Sequence, residues 1–161
     1  TATLHQGCVT QFGRTIDVFQ RPVDLVTARI FPDPPLNTAP VSKRGARLQL
    51  QQFVIPLSAS QAALPDGNYT LGLRPWHLTL EGGTGCAPEG QVKVTEITGS
   101  ETYTHLQVAG QPWVSLTHGI RRPEVDAAQQ LHFSPENIYL FDEADRLVLA
   151  PDLPAGYAWP K

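Results

Sequence analysis

The sequence has no apolar run approaching the roughly 18 residues that a helix needs to span a bilayer. It also lacks a basic segment leading into an apolar one, the arrangement of a secretion signal. The chain is therefore expected to be soluble, which does not bar work beside a membrane. Cysteine is scarce, with Cys8 and Cys86 alone. They stand far apart without histidine or carboxylate at ligand spacing, which favours free thiols over a disulfide and puts a metal pair last. Charge is sparse as well, at 17% of residues with a formal net charge of -3. Its distribution is uneven: residues 1–50 carry six Lys/Arg against three Asp/Glu, the remainder six against twelve. A generic polyanion-binding surface is not expected in the second part.

Catalytic motifs are missing too. Nucleotide hydrolysis calls for a backbone cradle, a lysine for the phosphates and a hydroxyl that holds magnesium, normally Gly-x-x-x-x-Gly-Lys-Ser/Thr. Gly82-Gly83-Thr84-Gly85 is glycine-rich, but Cys86-Ala87-Pro88 follows and the lysine is absent, so it reads as a turn. His5, His77, His105, His118 and His132 show neither His-x-x-x-His spacing nor a nearby acidic pair. Scattered side chains are the plain reading, a metal site assembled across strands the sharper one. Ser58 and Ser60 sit in no nucleophile elbow, and neither cysteine has a helical or basic neighbour to activate a thiolate. The carboxylates offer no spacing that selects a pair for acid/base work. No catalytic residue, cofactor or metal ligand is expected in this segment. Trp76, Tyr103 and Trp113 are rings of the kind that stack on nucleobases, yet Glu81, Glu89, Glu96 and Glu101 share their region. Core packing is expected for them, and a nucleic-acid partner is not.

What the chain has is enough apolar residue, 41%, to bury a core, and 15 prolines with 13 glycines to break it into short elements. Residues 3–12 read as a hairpin turning at Gln6-Gly7, too close to the start to own a sheet and so expected to belong to one in a longer protein. Thr15 offers an N-cap to a short helix that Pro22 stops, and a second short helix runs from about Val23 to Ile30. Residues 32–40, with four prolines, read as a semi-rigid extended connector. Beyond it the apolar runs are strand-length. Leu48, Leu50, Phe53, Ile55 and Leu57 nearly alternate, with a bulge expected at Gln51-Gln52. Tyr69, Leu71 and Leu73 alternate strictly up to Arg74-Pro75. A hairpin is expected over 91–109, a further strand at Trp113 to Leu116, a polar loop over 118–128, and Ser134 to Asn137 as a turn before Ile138 to Phe141. Five or six strands without long helices between them predict a mainly β fold, a closed, partly swapped antiparallel barrel. The segments are then 1–31, the 32–40 connector, a 41–150 barrel and a 151–161 tail whose Tyr157 and Trp159 either cover the barrel or meet a partner.

These residues resemble the C-terminal end of the ATP-hydrolysing subunit of bacterial carbohydrate-type ABC importers, the class handling maltose, other sugars and glycerol phosphate. His5-Gln6-Gly7 through Gln11-Phe12-Gly13 is similar to that family's terminal hairpin, and Thr15 to Pro22 to its short helix and proline close. Gly72-Leu73-Arg74-Pro75 resembles its Gly-Ile/Leu-Arg-Pro-Glu motif, with Trp76 in place of the acid. Val94 to Thr102 and Leu140-Phe141-Asp142 resemble its later motifs, Pro32 stands where a glycine is usual, and the 118–129 loop replaces a shorter approach. The resemblance implies an oligonucleotide-fold (TOBE) regulatory barrel without the Walker A, signature, Walker B and switch-histidine elements, His5 not being that histidine. It implies a non-enzymatic fragment of a parent that uses ATP and magnesium, pairs with a second copy of the ATPase subunit and meets membrane-spanning permease subunits through the missing domain. A regulatory protein or small ligand is a further implied partner, and the parent's place is the cytoplasmic face of the bacterial inner membrane, held peripherally. Arg74, Trp76, Arg121 and Arg122 are the candidate interface residues. An arginine before a proline turn either holds an anion or pairs within the fold. The alternative is a barrel that senses a small ligand or oxyanion, for which Arg74, Lys93, Arg121 and Arg122 are the cations on offer.

Overall fold

The computed structural model describes residues 1–82 and 88–152. Residues 83–85 of the glycine-rich loop, Cys86, and the tail aromatics Tyr157 and Trp159 lie outside the described residues. The chain opens with strands β1 (Ala2–His5) and β2 (Cys8–Phe12), a two-stranded sheet of their own. Gln6 and Gly7 both take positive φ, 49° and 80°, the two left-handed residues of a turn whose twist suits a hairpin. Helix α1 (Thr15–Gln20) follows. Its cap position is Arg14, not the expected Thr15, because the Thr15 hydroxyl is bonded to that of Thr1 at 2.5 Å. Helix α2 (Leu25–Ile30) begins two residues later than expected, since Asp24 accepts from the Thr27 amide and caps it.

Among the described residues ten more strands build the body. β3 (Asn37–Arg44), β4 (Arg47–Leu50) and β5 (Phe53–Pro56) run in succession. The one-turn helix α3 (Ala59–Ala62), held by a Ser58/Gln61 capping box, leads to β6 (Gly67–Leu73) and a 3-10 turn at Pro75–His77. Then come β7 (Glu89–Ile97), β8 (Glu101–Val108), β9 (Gln111–His118) and β10 (Ala128–Gln130). A second 3-10 turn at Pro135–Asn137 feeds β11 (Ile138–Phe141), and β12 (Leu147–Leu149) ends the fold. All ladders are antiparallel, in a six-stranded sheet ordered β12-β11-β6-β3-β4-β5 and a four-stranded sheet ordered β10-β7-β8-β9.

Three sequence expectations are corrected by these ladders. Gln51 and Gln52 are the turn between β4 and β5 and not a bulge in one strand, since Leu50 pairs with Phe53 and Gln51 takes φ 50°. A bulge does occur, at Lys93, where the register shifts between Val92 and Val94 and turns Val94 out to solvent. Residues 37–40 are not connector but the start of β3, paired with β6 from Asn37 onward. Pro40 is tolerated there because β4 pairs only with Ser42 to Arg44, leaving that stretch of β3 an open edge on the β4 side. The barrel is curled but open, since no main-chain ladder joins its two sheets among the described residues. Side chains bridge them instead: Asn37 donates to the Val114 carbonyl and accepts from its amide, at 2.8 and 2.7 Å, and Trp113 Nε1 donates to the Thr38 carbonyl at 3.0 Å.

The inner faces of both sheets meet in one core that includes Leu48, Leu50, Leu71, Val92, Leu106 and Trp113. Full burial of each such side chain stabilises by about 1.5–3 kcal/mol. Strand β11 is buried on both faces. Ile138 and Leu140 enter that core, while Tyr139 and Phe141 turn the other way to pack with Leu25, Ala28 and Leu36. This second cluster seats α2 on the back of the six-stranded sheet. Main-chain bonds from Leu25 N to Asp145 O and from Leu147 N to Val23 O, 2.9 and 3.1 Å, fasten the same join.

Candidate functional site

Strand β6 delivers Arg74 to the seam between the first thirty residues and the barrel. The side chain is 98% buried, and its guanidinium lies 4.2 Å from the Phe19 ring centroid, 5.1 Å from Tyr139 and 5.7 Å from Trp76. Nη2 donates to the Phe19 carbonyl at 2.6 Å, while Nε and Nη1 find no partner among the described residues. Among the described residues no carboxylate pairs with it. Three ring faces and one carbonyl take the place of a counter-ion, an arrangement that suits the planar, weakly hydrated guanidinium. Trp76 stacks on Phe19 with centroids 6.0 Å apart and is 39% exposed. Of the expected interface residues, then, Arg74 is internal and Trp76 presents one edge to solvent. The sequence did not bring Phe19 or Tyr139, the rings that hold Arg74, together with it. Tyr139 lies in an all-apolar strand, and only that strand's burial on both faces explains it.

Arg121 and Arg122 come together at a different place, one open end of the barrel. The inward face of β8 carries Thr102 and Thr104 before Leu106 and Val108, and β9 brings Thr117 opposite Thr102, so hydroxyls replace hydrocarbon at this end. Thr102 Oγ1 donates to Gly119 O at 2.7 Å and accepts from Arg121 N at 2.9 Å, pinning the loop that bears both arginines. A cavity of about 250 Å³ lies between them, bordered by Thr79, Thr104, Thr117, Arg121, Arg122 and Gln129. Arg121 Nε pairs with Glu81 at 3.1 Å. Arg122 has no ion pair among the described residues. The threonines were missed from the sequence, although Thr102 and Thr104, two apart and in phase with Leu106 and Val108, were the signal for hydroxyls at the end of an inward face.

Lys93 sits elsewhere, on the bulge, and is engaged by Gln91 at 2.5 Å and Asp126 at 3.8 Å. The histidines are not gathered: His105 pairs with Glu96 at 2.9 Å and His118 approaches Glu101 at 3.8 Å. Among the described residues no three His, Cys, Asp or Glu side chains are placed to hold a metal ion, and no helix is long and apolar enough to cross a membrane.

Residues 71–141, from the buried end of β6 to the last residue of β11, match the family model described as TOBE domain. Those residues are a TOBE domain. The chain's mainly β fold with short N-terminal helices is the OB-type architecture expected from the sequence, with a curled sheet that is open where a closed barrel was expected. Similarity to curated proteins extends beyond the TOBE stretch. The sn-glycerol-3-phosphate import ATP-binding protein of Chromobacterium violaceum is 31% identical over 143 residues, covering 86% of this chain and 38% of the relative. The protein of the same description from Cupriavidus metallidurans is 29% identical over 147 residues, covering 81% and 40%. The maltose/maltodextrin import ATP-binding protein of Escherichia coli K12 is 28% identical over 151 residues, covering 87% and 41%. The chain spans about two fifths of the length of the curated relatives it matches. The nucleotide-binding pattern Gly-x-x-x-x-Gly-Lys-Ser/Thr occurs nowhere in its sequence, so these residues do not fit a nucleotide with its magnesium.

Proposed function

We propose that this chain is the C-terminal, non-catalytic regulatory and dimer-contact part of an ABC importer's ATPase subunit, whose parent couples ATP hydrolysis to uptake of a sugar, polyol or glycerol-phosphate-like solute. The observation that carries this reading is the reach of the similarity. It covers 81–87% of the chain, well beyond the TOBE stretch itself, and the relatives are named import ATP-binding proteins. ATP and magnesium would be bound by the parent's remaining domain. Its partners would be a second copy of the subunit and the permease subunits, at the cytoplasmic face of a bacterial inner membrane. A regulatory protein or small ligand would act on the barrel.

The first thirty residues support a division of labour within the chain. Leu4, its cross-strand partner Val9, and Phe12 are exposed by 60%, 59% and 80%, an apolar face of the hairpin that the TOBE domain does not cover. Such a face is what the last part of a preceding domain shows when its neighbour is absent. The residues from Asn37 onward, by contrast, bury their own core.

Reconstitution of the parent transporter tests the reading. The intact ATPase subunit is compared with one ending after Phe31, at matched protein levels, for ATPase activity and solute uptake. Retained coupled transport with altered inhibition or substrate dependence is expected. Identical activity and regulation under every condition would remove the regulatory role.

A further inference from the structure

We propose that the contact between α1 and the barrel is an acid-sensitive latch, which opens when His77 takes up a proton while α2 stays in place. This concerns the chain by itself and does not depend on the transporter reading. Helix α1 has six residues and no side-chain cap bond, too little to hold its shape alone. It meets the barrel through Phe19, whose carbonyl accepts from Arg74 Nη2 at 2.6 Å and whose ring lies against both the guanidinium and Trp76. Three observations put the trigger at His77. It stands on the 3-10 turn that carries Trp76, its ring 6.0 Å from the one on which Phe19 stacks. Its Nδ1 is buried without a hydrogen-bond partner among the described residues, so the proton that a charged imidazole carries on that nitrogen meets no acceptor. Arg74, 98% buried, already puts one positive charge into this seam, with Nε and Nη1 unpaired among the described residues.

The other groups around the turn do not offset a second cation. The 3-10 turn at Pro135–Asn137 brings the Asn137 side chain, which favours the charged ring, and the exposed Glu136. From α1 comes Asp17, exposed and paired with Arg14 at 3.9 Å. Strand β9 carries one titratable group, His118, at its last residue and against Glu101, and His132 faces Thr79 across an isolated bridge. Burial and the Arg74 charge disfavour the imidazolium and together outweigh Asn137. The closed latch therefore belongs to neutral His77: it is held above about pH 6.5 and loosens as the pH falls below that. Opening stops at α1 because the neighbouring attachment has nothing to titrate in this range. Helix α2 is held by Leu25 and Ala28 packing with Leu36, Tyr139 and Phe141, and by the main-chain bonds of Leu25 and Val23. The hairpin stays tied to α2 as well, Thr27 Oγ1 donating to Thr10 Oγ1 at 3.2 Å.

Hydrogen exchange of the full chain, followed by mass spectrometry and corrected for the intrinsic effect of pH on exchange, tests the latch. Between about pH 7.5 and pH 5.5, protection of α1 should fall by about tenfold, while α2 and β8 change by less than about twofold. H77Q and H77F, neither of which can take the proton, should keep α1 equally protected at both pH values. H77F also keeps a ring in place, so one of the pair serves where the other fails to fold. H132Q should respond as the wild type does. The proposal is overturned if α1 loses no protection on acidification, or if the loss persists in the His77 variants or vanishes in H132Q. It is overturned equally if α2 and β8 loosen as much as α1, which would be a fall in overall stability and not a latch.

Discussion

Around Arg74 the protein closes three rings over a guanidinium, whereas around Arg122 it leaves one at the rim of a hydroxyl-lined cavity. Both groups lie just beyond barrel strands, β6 and β9. The difference is what surrounds them: Phe19 comes from the first thirty residues and Tyr139 from β11, so Arg74 is a joint between two parts of the chain. Arg122 makes no ion pair among the described residues and stands exposed at the rim. Sharing a residue type therefore says little about sharing a role. The partners decide, and they arrive from elements distant in sequence.

The sharpest way to break this comparison is to remove the buried cation. R74A should lower stability by about 3 kcal/mol, through the lost ring contacts, the lost bond to the Phe19 carbonyl and the void left in a closed seam. R74M, which keeps much of the packing without the charge, should recover part of that loss. Urea unfolding measures both. If R74A instead changed stability by less than about 0.5 kcal/mol, as an ordinary surface substitution does, Arg74 would be no joint and the contrast with Arg122 would collapse.

A second variant probes the same seam from the backbone. A Cβ added at Gly72 would stand 2.6 Å from Leu36 Cδ2 and 3.2 Å from both Phe141 Cε2 and Tyr139 Cβ. Leu36 and the two rings belong to the cluster that seats α2, so the missing side chain at Gly72 is what lets that layer lie close on β6. G72A should cost about 1–3 kcal/mol by overpacking, read from the same unfolding curves. A neutral result would mean that the cluster yields easily and that the seam is loosely packed.

The glycine and the arginine stood together in the sequence as Gly72-Leu73-Arg74-Pro75, and the strand before them was legible from the alternation of Tyr69, Leu71 and Leu73. The β7–β8 hairpin and β9 were legible for the same reason, because the period of two survives along β8 and β9, although the bulge at Lys93 breaks it in β7. Legibility failed where the local rule was overridden. Gln51 adopts positive φ without being one of the residues that favour it, so a hairpin turn looked like an interrupted strand. Asn37 to Pro40 looked like a connector because three prolines precede it and Pro40 closes it, and only pairing with β6 makes it a strand. The candidate site was half legible: Arg121 and Arg122 were named, but grouped with Arg74 and Lys93, from which the fold separates them. The hydroxyls facing them come from other strands, and no single segment announces their convergence.

The smallest effect expected concerns a second positive charge in the Arg74 region. His77 follows on the same 3-10 turn, with its ring 6.0 Å from Trp76 and Nδ1 buried without a partner among the described residues. Burial pushes its pKa below the ordinary 6.5 and the nearby Arg74 charge lowers it further, while the Asn137 side chain opposes them. The folded protein thus holds fewer protons at this site than the unfolded chain as the pH falls through that range. Stability from a neutral His77 is fully present above about pH 6.5 and is lost as the pH drops toward the lowered folded value. Unfolding midpoints measured from pH 7.5 to 5 should fall on acidification, and H77Q, which cannot take the charge, should flatten that slope. An equal slope in the two proteins would show that the seam tolerates a second cation. The rings around Arg74 would then be screening charge in general rather than fitting one guanidinium.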